Sequence, residues 1–330
     1  MSLSISKTTA IDIMSPRNET FYKDVIRGLQ SSPKYLESKY FYDATGDELF
    51  RELMDCPEYY LTNCELEIFS KQTVELAAAA VGDGDPFDLI ELGAGDALKS
   101  TFLLDYLLKQ KVDFNYMPID ISSNVISNLT NTLPNTLPNL QITGLNGEYF
   151  EMLEKATALS SRRKVVLFLG SNIGNMPISG AIAFCKELRR HLSINDRVIM
   201  GMDLKKKPKT ILAAYDDKGG ITRRFNLNLL SRINRELHAD FNSNQFDHYA
   251  MYDPESGACK SYLISLADQL VQINGKEAIQ FLRDEPIYME ISQKFRLSQI
   301  EQMAKDTGYR TVNYLFDSKR WFVDTIWLVE

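Results

Sequence analysis

The stretch that decides the fold is Asp88-Leu-Ile-Glu-Leu-Gly-Ala-Gly-Asp96, in which a short apolar run ends in two glycines. Glycine allows close approach of a ligand, and the N-terminus of a following helix offers unpaired N–H groups. A strand that turns into a helix in this way predicts a nucleotide-type cofactor. The third glycine of the NAD pattern GxGxxG is absent, because Leu98 stands there, and this disfavours NAD.

Outward from this turn, apolar runs alternate with segments of helical periodicity. Strands are expected over 87–91, 114–119, 140–145, 165–169 and 197–204, and helices over 63–80, 99–109, 122–129, 148–159 and 181–191. This alternation predicts parallel strands joined by right-handed crossovers. Two β runs at 311–316 and 321–329 then predict an antiparallel hairpin at the sheet edge. A methyltransferase sheet closes in this way, and a hydride-transferring Rossmann sheet normally does not.

Polar residues follow the second and third predicted strands. Asp120 ends the second strand, where an acid can accept hydrogen bonds from a ribose diol. Glu148 and Tyr149 follow the third strand, where a polar residue and an aromatic ring can hold the edge and the face of an adenine. Asp120 taken alone could equally be a helix cap. Together with the glycine turn and the hairpin, these residues favour S-adenosylmethionine as the cofactor.

The other segments of the chain have a different character. Residues 1–63 are polar and then aromatic-rich, and residues 246–290 alternate as antiparallel strands do, with a turn at Asn274-Gly275. Composition shifts near 63, 205 and 295 predict two domains. The expected architecture is α/β: a Rossmann-like methyltransferase domain of residues 64–205 and 296–330, and an α+β substrate-binding domain of residues 1–63 and 206–295.

Composition excludes several classes of protein. The formal net charge is −7 over 330 residues, which argues against a nucleic-acid partner. The four cysteines and three histidines show no metal-binding spacing, so we expect free thiols and no metal. No apolar stretch is long enough for a membrane span and no signal sequence is visible, which predicts a cytoplasmic location. A monomer is expected, because no amphipathic stripe stands out as an interface.

Six motifs together are more specific than the glycine turn alone: Tyr40-Phe-Tyr-Asp-Ala-Thr-Gly46, Pro57-Glu-Tyr-Tyr60, Glu91-Leu-Gly-Ala-Gly95 with Lys99, Phe168-Leu-Gly-Ser-Asn-Ile-Gly-Asn175, Ala214-Tyr-Asp-Asp217 and Glu290-Ile-Ser-Gln-Lys-Phe295. Through them the chain resembles the histidine-specific Nα-methyltransferases of ergothioneine biosynthesis, from about Ser31 to Val329. The resemblance implies that S-adenosylmethionine methylates a small-molecule substrate, L-histidine, to its trimethylated betaine, hercynine.

The resemblance also implies roles for single residues. The family's cofactor contacts fall on Gly93, Lys99, Asp120, Glu148 and Tyr149. Its amino-acid contacts fall on Tyr59, Asn175, Tyr215, Glu290, Ile291 and Ser292. Of these, Asn175 and Tyr59 are expected to be the catalytic residues.

Side-chain chemistry is consistent with these roles. The nucleophile is a neutral amine, whose lone pair the enzyme must present at close range. Asn175 follows the fourth strand at the carboxyl edge of the sheet, and its amide can contact the amine or the carboxylate, to which Tyr215 can also donate. Glu290 and Ser292 share one face of an extended strand and suit the two nitrogens of an imidazole.

Simpler interpretations of three of these residues stay open at this stage. Tyr59 can belong to core packing, and Asn175 can shape a turn after a glycine. Glu290 can form a surface ion pair with Lys294 or Arg296.

The substrate and the reaction also have alternatives. Ser261-Tyr262 stands where the family's histidine enzymes carry a bulky methionine before an aromatic residue, and a wider pocket would suit tryptophan or tyrosine. Retention of Glu290 and Ser292 favours histidine, since an indole has no acceptor nitrogen. A non-catalytic binding protein would be expected to lose these polar contacts. Methylation of oxygen or carbon would need a base near Asn175, and the motifs contain no histidine.

Overall fold

The structure is a computed structural model that describes residues 16–330. Its α-helices are α1 (Pro16–Gln30), α2 (Ala44–Met54), α3 (Tyr60–Lys71), α4 (Thr73–Val81), α5 (Ser100–Lys109), α6 (Ser123–Thr136), α7 (Tyr149–Leu159), α8 (Ile178–Arg190), α9 (Pro208–Ala213), α10 (Ile221–Leu237) and α11 (Leu297–Asp306). Its strands are β1 (Lys34–Tyr35), β2 (Phe87–Leu92), β3 (Phe114–Asp120), β4 (Leu145–Asn146), β5 (Arg163–Phe168), β6 (Arg197–Asp203), β7 (Phe246–Tyr252), β8 (Ala258–Ser265), β9 (Gln269–Ile273), β10 (Glu277–Phe281), β11 (Pro286–Gln293), β12 (Tyr309–Phe316) and β13 (Phe322–Val329). Short 3-10 helices span Ser38–Phe41, Asn172–Asn175 and Ser243–Gln245.

The larger of two compact units comprises residues 54–217, 251–260 and 291–330 and holds a seven-stranded sheet. The strand order is β12-β13-β6-β5-β2-β3-β4. Strands β2 to β6 are parallel, whereas β13 is antiparallel to both β6 and β12. The predicted Rossmann-like methyltransferase sheet with its terminal hairpin is therefore confirmed.

The core of this unit lies on both faces of the sheet. All six residues of β2 are buried, as expected for a central parallel strand covered by helices on both sides. Phe168, Met200 and Trp327 from three neighbouring strands belong to one buried cluster. Because β2 is held on both faces, the glycine turn at its end has a rigid support.

Among the described residues, the smaller unit comprises residues 16–53, 218–250 and 261–290. It contains helices α1, α2 and α10, the hairpin β9–β10, and most of a second sheet with the order β1-β11-β8-β7. Asn274 and Gly275 both have positive φ and join β9 to β10, so the predicted turn is present. Its apolar core is a separate cluster that includes Phe21, Phe225 and Phe281.

Two predicted elements differ from the structure. The helix expected over 63–80 is interrupted at Gln72, whose side chain donates instead to the Phe316 carbonyl oxygen at 2.8 Å. The strand expected over 140–145 is reduced to the two residues of β4, preceded by a single bridge between Tyr116 and Ile142. The hydrogen bond between Gln72 and Phe316 is a tertiary contact that a local pattern does not contain.

The bounds of the compact units differ from those of the two predicted domains. Segments 54–63, 206–217, 251–260 and 291–295 were assigned to the substrate-binding domain, but they belong to the unit of the parallel sheet. Residues 1–15 of the predicted segment 1–63 lie outside the described residues. The predicted division of cofactor and substrate binding between two domains stays a prediction.

No helix within residues 16–330 combines the length and apolar character needed to cross a bilayer. The same residues include no group of three or more His, Cys, Asp or Glu side chains placed to hold a metal ion. Cys56, Cys64, Cys185 and Cys259 are buried free thiols.

Candidate functional site

The glycine turn adopts a backbone that only glycine accepts easily. Gly93 has φ +71° and Gly95 has φ +55°, in the left-handed region. A Cβ at Gly93 would lie 2.8 Å from the Tyr149 hydroxyl, whereas a Cβ at Gly95 would have no atom within 4 Å. The turn is therefore closed on the Gly93 side and open at Gly95, which leaves room for a ligand beside exposed backbone.

Asp120 lies at the open side of this turn. Its Oδ2 accepts from the Gly95 N–H at 3.2 Å and its Oδ1 from the Ser122 N–H at 2.8 Å. Burial raises the pKa of the carboxyl, and these two N–H groups act against that rise. The N-cap of α6 is Ser122, whose Oγ accepts from Val125, so Asp120 is not the helix cap. The structure brings Asp120 to the glycine turn.

Tyr149 meets the turn from the other side. Its ring packs edge-on against Phe168, with centroids 5.7 Å apart, and burial raises the pKa of its phenol. Glu148 precedes it as the exposed N-cap residue of α7. The two predicted adenine contacts therefore flank the start of α7, with only Tyr149 packed against the turn.

Lys99 is held by a partner that the sequence analysis missed. Its Nζ forms an ion pair with Glu65, which has no exposed surface. Both Glu65 oxygens also accept from the Gly170 N–H, at 2.9 and 2.8 Å. Burial disfavours the charged ammonium, but the attraction of the Glu65 carboxylate outweighs this effect and raises the pKa of Lys99. The ammonium is fixed, and its side chain keeps 21% of its surface exposed for a ligand anion.

The residues at the turn fit the predicted cofactor. Gly95 leaves backbone and space, Asp120 can supply an acceptor for a ribose diol, and Lys99 can supply a cation for a carboxylate. Tyr149 adds an aromatic face. These residues would hold S-adenosylmethionine.

Replacing Asp120 by asparagine is expected to weaken cofactor binding by about ten- to a hundredfold, because the amide loses a charged acceptor for the diol. Calorimetric titration with S-adenosylhomocysteine measures the change. Asp113→Asn is the matched control, since Asp113 precedes the amino end of the same strand and pairs with Arg162 at the surface. Equal affinity of the two variants would remove Asp120 from the cofactor site.

Four of the predicted substrate residues lie together in the larger unit. The Tyr215 hydroxyl, just after α9, is 2.6 Å from Ser292 Oγ on β11. The Tyr59 ring packs edge-on against the Tyr215 ring, with centroids 6.2 Å apart. Ile291 precedes Ser292 and is buried. The predicted amino-acid contacts at 59, 215, 291 and 292 thus belong to one neighbourhood.

A buried ion network supports this neighbourhood, and the sequence analysis missed it. Asp203 Oδ2, at the end of β6, accepts from the Tyr60 hydroxyl and from Lys294 Nζ, each at 2.7 Å. Lys206 pairs with the other carboxylate oxygen and donates to Tyr60 at 2.8 Å. The surface interpretation of Lys294 was wrong, because its side chain has no exposed surface. The two-residue spacing of Glu290, Ser292 and Lys294 was the available signal.

Asn175 lies at the exposed end of the 3-10 helix that follows β5. Two other residues fix this loop: Ser171 Oγ accepts from the Asp203 N–H at 3.1 Å, and a Cβ at Gly174 would lie 2.9 Å from the Gln293 carbonyl oxygen. The backbone needs Ser171 and Gly174 for its shape, and Asn175 is carried at the tip. Glu290 is half-buried on β11, and its role stays a prediction.

Comparison with known proteins agrees with these features. A model of the S-adenosylmethionine-dependent, histidine-specific methyltransferase family matches residues 21–329. Histidine N-alpha-methyltransferase of Mycolicibacterium smegmatis is 32% identical over 96% of this chain and 96% of that protein. The enzyme of the same name from Mycobacterium tuberculosis is 32% identical over 92% and 90%. Ergothioneine biosynthesis protein 1 of Schizosaccharomyces pombe is 27% identical over 84% of this chain and 37% of that protein.

The family match spans almost all of the described residues, including the glycine turn, the buried network and the closing hairpin. The fold and the cofactor residues point to the same class of enzyme as the relatives. The chain therefore belongs to the histidine-specific, S-adenosylmethionine-dependent methyltransferase family.

Proposed function

We propose that the enzyme converts L-histidine to Nα,Nα,Nα-trimethyl-L-histidine (hercynine), the first step of ergothioneine biosynthesis. The observation that carries this proposal is the pair of hydroxyls of Tyr215 and Ser292 beside the Tyr59 ring, in the same compact unit as the glycine turn. The names of the relatives, with their coverage of nearly the whole chain, support histidine as the substrate.

Bound S-adenosylmethionine supplies an electrophilic methyl group. The task of the chain is then to orient the neutral α-amine and to keep its lone pair in line. Asn175 contacts the amine or the carboxylate with its amide, and Tyr215 lies where a carboxylate can meet a polar hydroxyl. Tyr59 restricts the position of the substrate by its ring. Water takes up the proton that each methylated amine must lose before the next transfer.

The imidazole of histidine has one N–H donor and one acceptor nitrogen. Glu290 is proposed to accept from the N–H, and Ser292 to lie at the second nitrogen. Both are on β11 and two residues apart, so that they share a face. An indole has no acceptor nitrogen and does not match this pair.

Incubation of the full chain with S-adenosylmethionine and each of the twenty amino acids, followed by mass spectrometry, tests the proposal. Three added methyl groups on histidine, and on no other amino acid, are expected. No methylated histidine together with turnover of another amino acid would refute histidine as the substrate while leaving the methyltransferase activity intact.

Replacing Glu290 by alanine is expected to lower kcat/KM for histidine by about ten- to a hundredfold, because a buried imidazole N–H loses a charged acceptor. The affinity for S-adenosylhomocysteine should not change. Glu277→Ala is the matched control, since Glu277 lies on β10 and its carboxylate accepts a surface hydrogen bond from Gln30 at 3.0 Å. Full histidine activity of the Glu290→Ala variant would remove the role proposed for this carboxylate.

A second candidate substrate is another aromatic amino acid, such as tryptophan or tyrosine. It is favoured by Ser261, which is 1% exposed and whose hydroxyl has no hydrogen-bond partner among the described residues. Such a site has an unused polar atom. The same amino-acid panel decides between the candidates, because the second predicts a product from tryptophan or tyrosine.

We further propose that the protein works in the cytoplasm as a monomer. The four buried thiols are consistent with a reducing compartment. Light scattering after size-exclusion chromatography tests the monomer, and a mass of twice the chain would refute it.

A further inference from the structure

Lys294 has no exposed surface and uses every donor of its ammonium group. Its Nζ lies 2.8 Å from the Tyr215 hydroxyl oxygen, 2.8 Å from Ser292 Oγ and 2.7 Å from Asp203 Oδ2. An ammonium has three donors and no lone pair. Both hydroxyl oxygens must therefore accept from Lys294.

The two hydroxyls also bond each other, at 2.6 Å. Only one of their two protons can lie between the oxygens, so the other must point out of the cluster. Tyr215 is 7% and Ser292 is 6% exposed, and the hydrogen bond between their hydroxyls is buried. Lys294 and the bond between the hydroxyls occupy three of the four lone pairs of the two oxygens, and the pair keeps one O–H that can donate outward.

The charge of the cluster also favours a ligand atom that accepts a hydrogen bond. Lys294 and Lys206 bring two amines to a single carboxylate, Asp203. A buried excess of positive charge favours a ligand atom that is anionic or has a lone pair, and it opposes a cation.

We propose that Lys294 is a positioning residue that fixes Tyr215 and Ser292 as one hydrogen-bond donor to an acceptor group of the amino-acid substrate. The acceptor is either the unprotonated ring nitrogen or the carboxylate. The inference rests on the proposed function, because it takes these two hydroxyls to face the substrate. An imidazolium ring cannot fill this role, since both of its nitrogens are donors.

A cycle of hydroxyl deletions tests the single donor. The dissociation constant of L-histidine is measured by calorimetry on the full chain with S-adenosylhomocysteine bound, so that no turnover occurs. Tyr215→Phe and Ser292→Ala are each expected to raise it by only about threefold, because the remaining hydroxyl turns its proton to the substrate, whereas the double variant raises it by about a hundredfold.

The outcomes of the cycle are distinct. If the losses of binding free energy in the two single variants add up to the loss in the double variant, the hydroxyls make two independent contacts. This would overturn the single donor and leave the proposed function standing. Unchanged affinity of the double variant would overturn both the single donor and the location of the substrate site. Absence of any histidine binding or product with the unaltered protein would refute the proposed substrate itself.

Lys294→Met tests the positioning role directly. It is expected to raise the dissociation constant of histidine by about ten- to a hundredfold and that of S-adenosylhomocysteine by less than about threefold. Lys206→Met is the matched control, because it also removes a buried amine paired with Asp203 but has no contact with either hydroxyl. Equal losses in both variants would assign the effect to buried charge and overturn the proposal. If Lys294→Met does not fold, the hydroxyl cycle decides alone.

Two analogues distinguish the acceptor. L-Histidinol lacks the carboxylate, and β-(2-thienyl)-L-alanine lacks the ring nitrogens. The loss of binding affinity in the double variant should vanish for the analogue that lacks the acceptor group. It should persist for the other analogue. An equal loss with both analogues would show that neither group is the acceptor and would overturn the proposal.

Discussion

Replacing Asn175 by alanine is expected to lower kcat/KM for histidine by about a hundredfold or more, since a small misplacement of a nucleophile has effects of this size. Asn175 stands exposed at the tip of a loop that Ser171 and Gly174 hold in place. The substitution therefore removes the amide without disturbing the loop. Steady-state kinetics with histidine as the varied substrate measures the loss.

A structural effect can be separated from this catalytic one. Ser179→Ala changes another exposed polar side chain near the start of α8 and is expected to retain the activity of the unaltered enzyme. The melting temperature and the affinity for S-adenosylhomocysteine should be unchanged in both variants. If Asn175→Ala kept its kcat/KM within about threefold of the original value, no orienting role could be assigned to the amide.

The sheet and the glycine turn could be predicted because their signals are local. The run that ends in Gly93 and Gly95 needs its glycines for backbone reasons visible in the sequence, and Asp120 follows from the end of the next strand. The hairpin β12–β13 likewise follows from two β runs around a short turn. In each case one segment carries enough information for the inference.

The buried network could not be predicted in the same way. Lysine and aspartate are mostly exposed. Asp203 and Lys294 are also far apart in sequence, so no local sequence pattern predicts their ion pair. Glu65 is equally hidden, since its place depends on Gly201: a Cβ there would lie 2.0 Å from a Glu65 oxygen. The motif that contained Lys294 was recognised, but the role of its lysine needed the structure.

The compact units differ from the predicted domain bounds for a related reason. Composition changes at 63, 205 and 295 are real, yet the compact units separate at 53, 217 and 290. Tyr60 and Lys206 bond to Asp203, and Lys294 forms an ion pair with it. These bonds tie three sequence segments to the parallel sheet, so contacts rather than composition set the boundary.

Replacing Asp203 by asparagine is expected to lower the free energy of unfolding by about 3–5 kcal/mol, because Lys294 and Lys206 stay buried without their counter-charge. Both tryptophans, Trp321 and Trp327, lie in the same compact unit. Urea denaturation followed by tryptophan fluorescence therefore reports on the unit that contains Asp203. Asp105→Asn, which breaks an exposed pair with Lys109, is expected to change this free energy by less than about 1 kcal/mol.

The dependence of this loss on pH identifies its source. Burial by itself would raise the pKa of Asp203, but Lys294 and Lys206 outweigh it and hold the pKa below its ordinary value of 3.8. A carboxyl group with a depressed pKa stabilises the fold above its unfolded pKa and loses this contribution as the pH falls through the folded one. The difference between the unaltered protein and Asp203→Asn should therefore be constant near neutrality and shrink in acid, below about pH 4. A difference that stayed constant into that acid range would show that the lost stability comes from packing and not from the charge of Asp203.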